Sequence, residues 1–166
     1  MELRKFIFIF LIAFLSAWPV SLRAQVPPPF EQPPVITEVE ARRFLDEYVI
    51  EYVKMDVDAF MAFFSRKAIE NRMLTYADIR EIYQRTFENS ESLQYDLKIY
   101  TVQTYKESTT VKGRYEVIQH FKASPFKKVY KGNIQWELIR EDGALKIKEV
   151  DYGRDYQGDH PGHPYP

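Results

Sequence analysis

Residues 136–147 read Trp-Glu-Leu-Ile-Arg-Glu-Asp-Gly-Ala-Leu-Lys-Ile, and this stretch decides the fold class. Upstream of it, Tyr130, Gly132, Ile134, Trp136 and Leu138 alternate with Lys131, Asn133, Gln135 and Glu137, the two-residue period of a strand with one buried face. Glu141-Asp142-Gly143 is then a tight hairpin signal, because Asp and Gly tolerate the positive φ of a two-residue turn. The returning strand carries Leu145, Ile147, Val150 and Tyr152. The step from Ile147 to Val150 breaks strict alternation and predicts a bulge near Glu149.

The same period extends backwards. Val111, Gly113, Tyr115, Val117 and Phe121 form one alternating set, and Leu93, Tyr95, Leu97 and Ile99 another. Four strands joined by short turns predict an antiparallel meander whose apolar face needs cover. The cover comes from earlier in the chain, where the period is 3.6. Thr37 with Glu40 is a capping box for a helix running to about Val53, and its face is Phe44, Leu45, Tyr48, Val49 and Tyr52. Asp56 caps a shorter helix containing Phe60, Met61, Phe63 and Phe64, and Thr75 with Asp78 opens a third running to about Glu88. Residues 65–73 fit either a short strand pair or an irregular crossing. The expected class is α+β, three helices packed on a curved antiparallel sheet of four strands or slightly more.

Proline marks the edges of this unit. Pro27, Pro28, Pro29, Pro33 and Pro34 make residues 25–34 an extended linker, and only Pro125 falls inside 35–152. The domain is expected at 35–153, with 154–166 a flexible tail. Before the linker, Arg4 and Lys5 precede the apolar run Phe6–Leu15, and Leu22-Arg23-Ala24 ends in a small residue. This is the layout of a secretory signal peptide over 1–24, cleaved after Ala24 to leave an exported, periplasmic or secreted protein with no stable membrane anchor. Losing three basic side chains (Arg4, Lys5, Arg23) and one acidic one (Glu2) takes the net charge from −1 to −3. Hydrophobic residues are 45% of the 166 and charged residues 28%, which excludes a disordered chain. There is no Cys, hence no disulfide, thiolate metal site or cysteine nucleophile.

Phe44–Phe64 (FLDEYVIEYVKMDVDAFMAFF) and the 136–147 hairpin together resemble the nuclear transport factor 2-like superfamily, including its SnoaL-like branch. The resemblance spans about 35–153. It implies a cone whose sheet wraps the long helix, with a pocket at its open end. It also implies a range of uses from isomerases, cyclases and dehydratases to non-catalytic binding and protein-interaction modules. Enzymes of the family use a pocket carboxylate or His as base, but no catalytic signature carries over residue by residue.

The candidate catalytic groups are therefore read from strand parity alone. His120 lies between Gln119 and Phe121 and is sent to the outer face. Glu149 and Asp151 share parity with Ile147, which turns them inward unless the bulge reverses them. Asp46 and Glu47 read as the solvated face of the first helix. Tyr48, Tyr52, Tyr115 and Trp136 are the expected aromatic floor of a ligand pocket.

Other chemistry finds little support. Asp155, Asp159, His160 and His163 offer ligand atoms, but interspersed Gly and Pro argue for a floppy segment and against a metal site. No glycine-rich phosphate loop exists, and no cofactor is expected. Lys127, Lys128 and Lys131 read as a solvated edge or a contact for an anionic envelope polymer, with nucleic acid not expected as a partner. Ser65, Thr75 and Ser90 lack a neighbouring His. Tyr100, Val102, Ile118, Val129 and Ile139 fall on the opposite-parity face and predict a homodimer across the sheet. The expected function is an exported, non-catalytic binding or protein-interaction module holding a small apolar ligand, an envelope polymer or a protein. The alternative is a small-molecule isomerase, dehydratase or cyclase using a pocket carboxylate or His.

Overall fold

Thr37 ends the extended entry and starts α1 (Glu38–Lys54) with the expected capping box: its hydroxyl accepts from the Glu40 N–H, and the Glu40 carboxylate accepts from the Thr37 N–H. The structure is a computed structural model and describes residues 35–155; the expected signal peptide, linker and residues 156–166 of the tail lie outside the described residues. Arg140, from the sheet, holds Glu40 at 2.8 Å and keeps its carboxyl below the usual range. The α1 face that is apolar by sequence is the buried one, with Ala41, Leu45, Tyr48 and Tyr52 against the sheet.

Met55 takes a left-handed conformation, and Asp56 caps α2 (Val57–Met61) by accepting from the N–H groups of Asp58 and Ala59. The uncertain segment 65–73 is a strand pair, β1 (Phe64–Glu70) and β2 (Leu74–Thr75). Thr75 and Asp78 then open α3 (Tyr76–Asn89), with Thr75 N–H and hydroxyl both bound by the Asp78 carboxylate. The four long strands follow as β3 (Ser90–Thr104), β4 (Ser108–Phe121), β5 (Lys127–Glu141) and β6 (Ala144–Tyr152).

The sheet has six strands in the order β2-β1-β6-β5-β4-β3. The meander β3–β6 is as expected; the addition is β1, which pairs parallel to β6. Local alternation cannot reveal this pairing, because the partners lie about eighty residues apart and no turn connects them. The β5–β6 turn is the two-residue type that Asp142-Gly143 predicts, with φ of 50° and 81°.

Two bulges set which residues face the core. In β6, Leu138 pairs with Ile147 and Glu137 with Glu149, so Lys148 is the extra residue and Ile147 and Val150 both point inward. In β3 the register slips at Tyr100, so Val102 lies opposite the fully buried Val111 and packs on the core. Val102 is thus removed from the outer face on which alternation placed it. Ile118, Val129 and Ile139 keep that outer position, half-buried among charged neighbours. Under the helices, Tyr48, Phe60, Phe64, Tyr83 and Phe87 interlock with ring centroids 4.8–6.2 Å apart.

Candidate functional site: a tyrosine-lined cavity over a buried carboxyl

The end of β1 inverts the usual polarity of a strand. Ile69 faces out and is 44% exposed, while its neighbour Glu70 points beneath the helices and is 0% exposed. A carboxylate moved out of water is unstable unless it is bonded or neutralised. Two phenols meet it: Tyr83 of α3 donates to Oε2 at 3.1 Å and Tyr152 of β6 donates to Oε1 at 2.8 Å. Burial raises the Glu70 pKa from its ordinary 4.5, and the two phenolic bonds oppose that rise without cancelling it. The parallel register sets Glu70 against Val150, which brings Tyr152 within reach. A turn through Asn71 and Arg72, both at positive φ, ends the strand there, and the Asn71 Oδ1 accepts from the Tyr152 N–H at 2.9 Å.

Above this group lies a cavity of about 140 Å³. Tyr48 and Tyr52 of α1 and Ile82, Tyr83 and Thr86 of α3 line it from the helices. Tyr95 of β3, Tyr115, Val117 and Gln119 of β4, Tyr130 and Ile134 of β5, and Tyr152 of β6 with Arg154 beyond it line it from the sheet. Seven of these are tyrosines. Burial holds the hydroxyls of Tyr48, Tyr52, Tyr83, Tyr95 and Tyr152 well above their ordinary pKa, so they are neutral phenols at any physiological pH. Several polar atoms are already directed. Tyr130 donates to Gln119 Oε1 (3.3 Å), Gln119 Nε2 donates to Ser90 Oγ (2.9 Å), and Ser90 donates to the Thr86 carbonyl (2.6 Å). Tyr115 donates to the Gly153 carbonyl at 3.1 Å. Arg154 stacks its guanidinium 5.0 Å from the Tyr130 ring at the mouth, where an open groove passes Arg72, Lys112 and Asp151.

Helices on one face of a six-stranded curved sheet, with a cavity between them, can be compared with known folds. No protein-family model matches the sequence, and no curated protein is similar to it in sequence. Solved structures do match. A nuclear transport factor 2-like superfamily protein from Salmonella enterica superposes with a TM-score of 0.63 at 14% identity, covering 75% of this chain and 96% of that one. The chain has the nuclear transport factor 2-like fold. A ketosteroid isomerase-like protein from Erwinia carotovora matches with a TM-score of 0.57 at 15% identity, over 75% of this chain and 97% of that one. A cystatin-like fold from Nostoc punctiforme matches with a TM-score of 0.59 at 9% identity, over 74% and 96%. Identities this low establish the fold and leave the chemistry to the residues.

Within this nuclear transport factor 2-like cone, the structure sorts the sequence candidates. Tyr48, Tyr52 and Tyr115 line the cavity. Trp136 does not; it is fully buried one layer deeper, its ring edge-on to Tyr48 at 6.1 Å, and serves the core. His120 alternates with the inward Gln119 and faces the other side of the sheet. The bulge at Lys148 turns Glu149 and Asp151 to that outer side as well, and Asp151 meets Arg72 at 3.4 Å in the groove. None of these three reaches the cavity. Two groups went unnoticed in the sequence. Gln119 shares the parity of Val117 and Phe121, a signal that was available. Glu70 follows an apolar residue in a segment without clear period, and only the parallel pairing turns it inward. Asp155, at the start of the expected tail, is tied to the sheet: its N–H donates to the Lys131 carbonyl at 2.8 Å, and its carboxylate pairs with Arg114.

Proposed function

We propose that the cavity receives one small neutral molecule, about the size of a single five- or six-membered ring, with a polar substituent, and that the protein is a non-catalytic binding module. The observation that carries this is the lining. Among the described residues, no carboxylate or imidazole touches the cavity; Glu70 lies behind two phenols that occupy both of its oxygens. A void near 140 Å³ suits one ring, since cavities of roughly 150 Å³ take up benzene. Aromatic walls supply apolar contact and the hydroxyls supply orientation. Export, with a ligand or polymer of the cell envelope as the natural partner, is part of the same proposal.

A second reading, a small-molecule enzyme of the isomerase or dehydratase kind, is favoured by Glu70 itself. A buried carboxyl with a raised pKa is the kind of group that serves as a general base, and one structural neighbour is described as ketosteroid isomerase-like. Cyclopentanone in deuterated buffer separates the two. We expect it to bind, with chemical-shift changes at the cavity tyrosines, and to exchange its α-hydrogens no faster than in buffer alone. Accelerated exchange that disappears in Glu70→Gln would replace the binding module with proton abstraction next to a carbonyl.

A further inference from the structure

Proton bookkeeping around Glu70 decides what the cavity can recognise. With Glu70 ionised, the carboxylate can only accept, so Tyr83 and Tyr152 must each spend their single hydroxyl hydrogen on it. Each phenolic oxygen is then left with lone pairs. Tyr83 has Tyr48 beside it, hydroxyl to hydroxyl, whereas Tyr152 lines both the cavity and the groove at its mouth. With Glu70 protonated, the carboxyl O–H itself donates to one of the two phenols, and that phenol's hydrogen is released to turn elsewhere. One buried proton thus exchanges an acceptor for a donor on the cavity wall.

We propose that Glu70 is the specificity-determining residue of the cavity: while ionised it makes Tyr152 a pure acceptor and selects ligands that bring an N–H or O–H, and when protonated it admits carbonyl-type ligands. The proposal rests on the cavity being a binding site. The groups facing Glu70 are Tyr48 and Tyr52 of α1, Tyr83 of α3 and Tyr152 of β6, with Arg154 beyond the end of β6 acting on Tyr152. All four phenols are held above their ordinary pKa and stay neutral below pH 8, so among these carboxyl and phenol groups Glu70 is the one that titrates. Gln at position 70 reproduces the protonated pattern, because its amide donates to one phenol and accepts from the other.

Two five-membered rings of nearly equal size serve as probes: pyrrole, which only donates, and cyclopentanone, which only accepts. Their affinities are measured by NMR titration from pH 4.5 to 8 on the wild type, Glu70→Gln and Tyr152→Phe. For the wild type we expect the pyrrole-to-cyclopentanone affinity ratio to rise at least tenfold across the titration of Glu70. For Glu70→Gln we expect a ratio that favours cyclopentanone and does not move with pH. Tyr152→Phe should bind both rings with little preference. If both probes bind the wild type with a ratio that is flat in pH and equal to that of Glu70→Gln, the specificity role is overturned while the binding site stands. If neither probe binds the wild type, the binding site itself is overturned and the specificity role with it. Should Glu70→Gln not fold, as judged by circular dichroism, the wild-type pH series decides alone.

Discussion

Glu70 is also a thermodynamic feature of the folded chain. Its carboxyl releases its proton at an ordinary 4.5 when unfolded and at a higher pH when folded. Between those two values the folded state holds a proton that the unfolded state has lost, so folding stability falls as pH rises through that window and levels off above it. Each pH unit of separation corresponds to about 1.4 kcal/mol, or about 5–6 °C in the melting midpoint of a domain this size. We expect Glu70→Gln, which cannot ionise, to lack this decline, so that the variant gains on the wild type between pH 5 and 8 in thermal melts. Parallel curves for the two proteins would mean that the folded carboxyl titrates normally. Residue chemistry was only partly legible beforehand. Tyr48, Tyr52 and Tyr115 follow from helix and strand periods, since each lies on a regular apolar stripe. Trp136 lies on such a stripe too, and Tyr130 and Ile134 of that stripe do line the cavity, but Trp136 sits further along β5, fully buried against Tyr48 in the core.

At the scale of elements, Gly132 shows how one missing side chain shapes the mouth of the cavity. It sits in β5 opposite Tyr115, and the chain leaving β6 crosses directly over it. A Cβ at this position would lie 1.9 Å from the Gly153 carbonyl oxygen, the same oxygen that accepts from Tyr115. Backbone cannot yield as a flexible side chain does. We therefore expect Gly132→Ala to destabilise by about 1–3 kcal/mol or more in urea unfolding and to disturb Tyr115 and Arg154 together. Gly153→Ala is the control: a Cβ there meets nothing within 4 Å, and its cost should stay within about 0.5 kcal/mol. Equal costs for the two would remove the close-approach explanation. The helices, their capping boxes, the Asp142-Gly143 turn and the β6 bulge were all legible, because each depends on residues within a few positions of one another. The strand β1 was not. Its sequence, Phe-Ser-Arg-Lys-Ala-Ile-Glu, has no clean alternation, and its register slips against β6 between Phe64 and Ile69.

For the whole molecule, no disulfide contributes to cohesion, since the chain has no cysteine. The basic start, the apolar run and the small residue at Ala24 lead us to expect a mature chain beginning at Gln25 in the native host. Mass spectrometry of the purified protein tests this, and an intact Met1 recovered from a membrane fraction would make the segment an anchor. Taken by itself, the sequence determined the α+β class and the order of helices and meander, because periodicity and turn chemistry are local; the cone with its pocket came from the family resemblance. Only the tertiary structure decided the site. Glu70 meets Tyr83 and Tyr152 across 13 and 82 residues. The register slip in β3 and the parallel pairing of β1 with β6 choose which face of those strands looks inward. A one-residue slip exchanges the two faces of a strand, so the identity of the buried carboxyl was fixed by register, which no local spacing encodes.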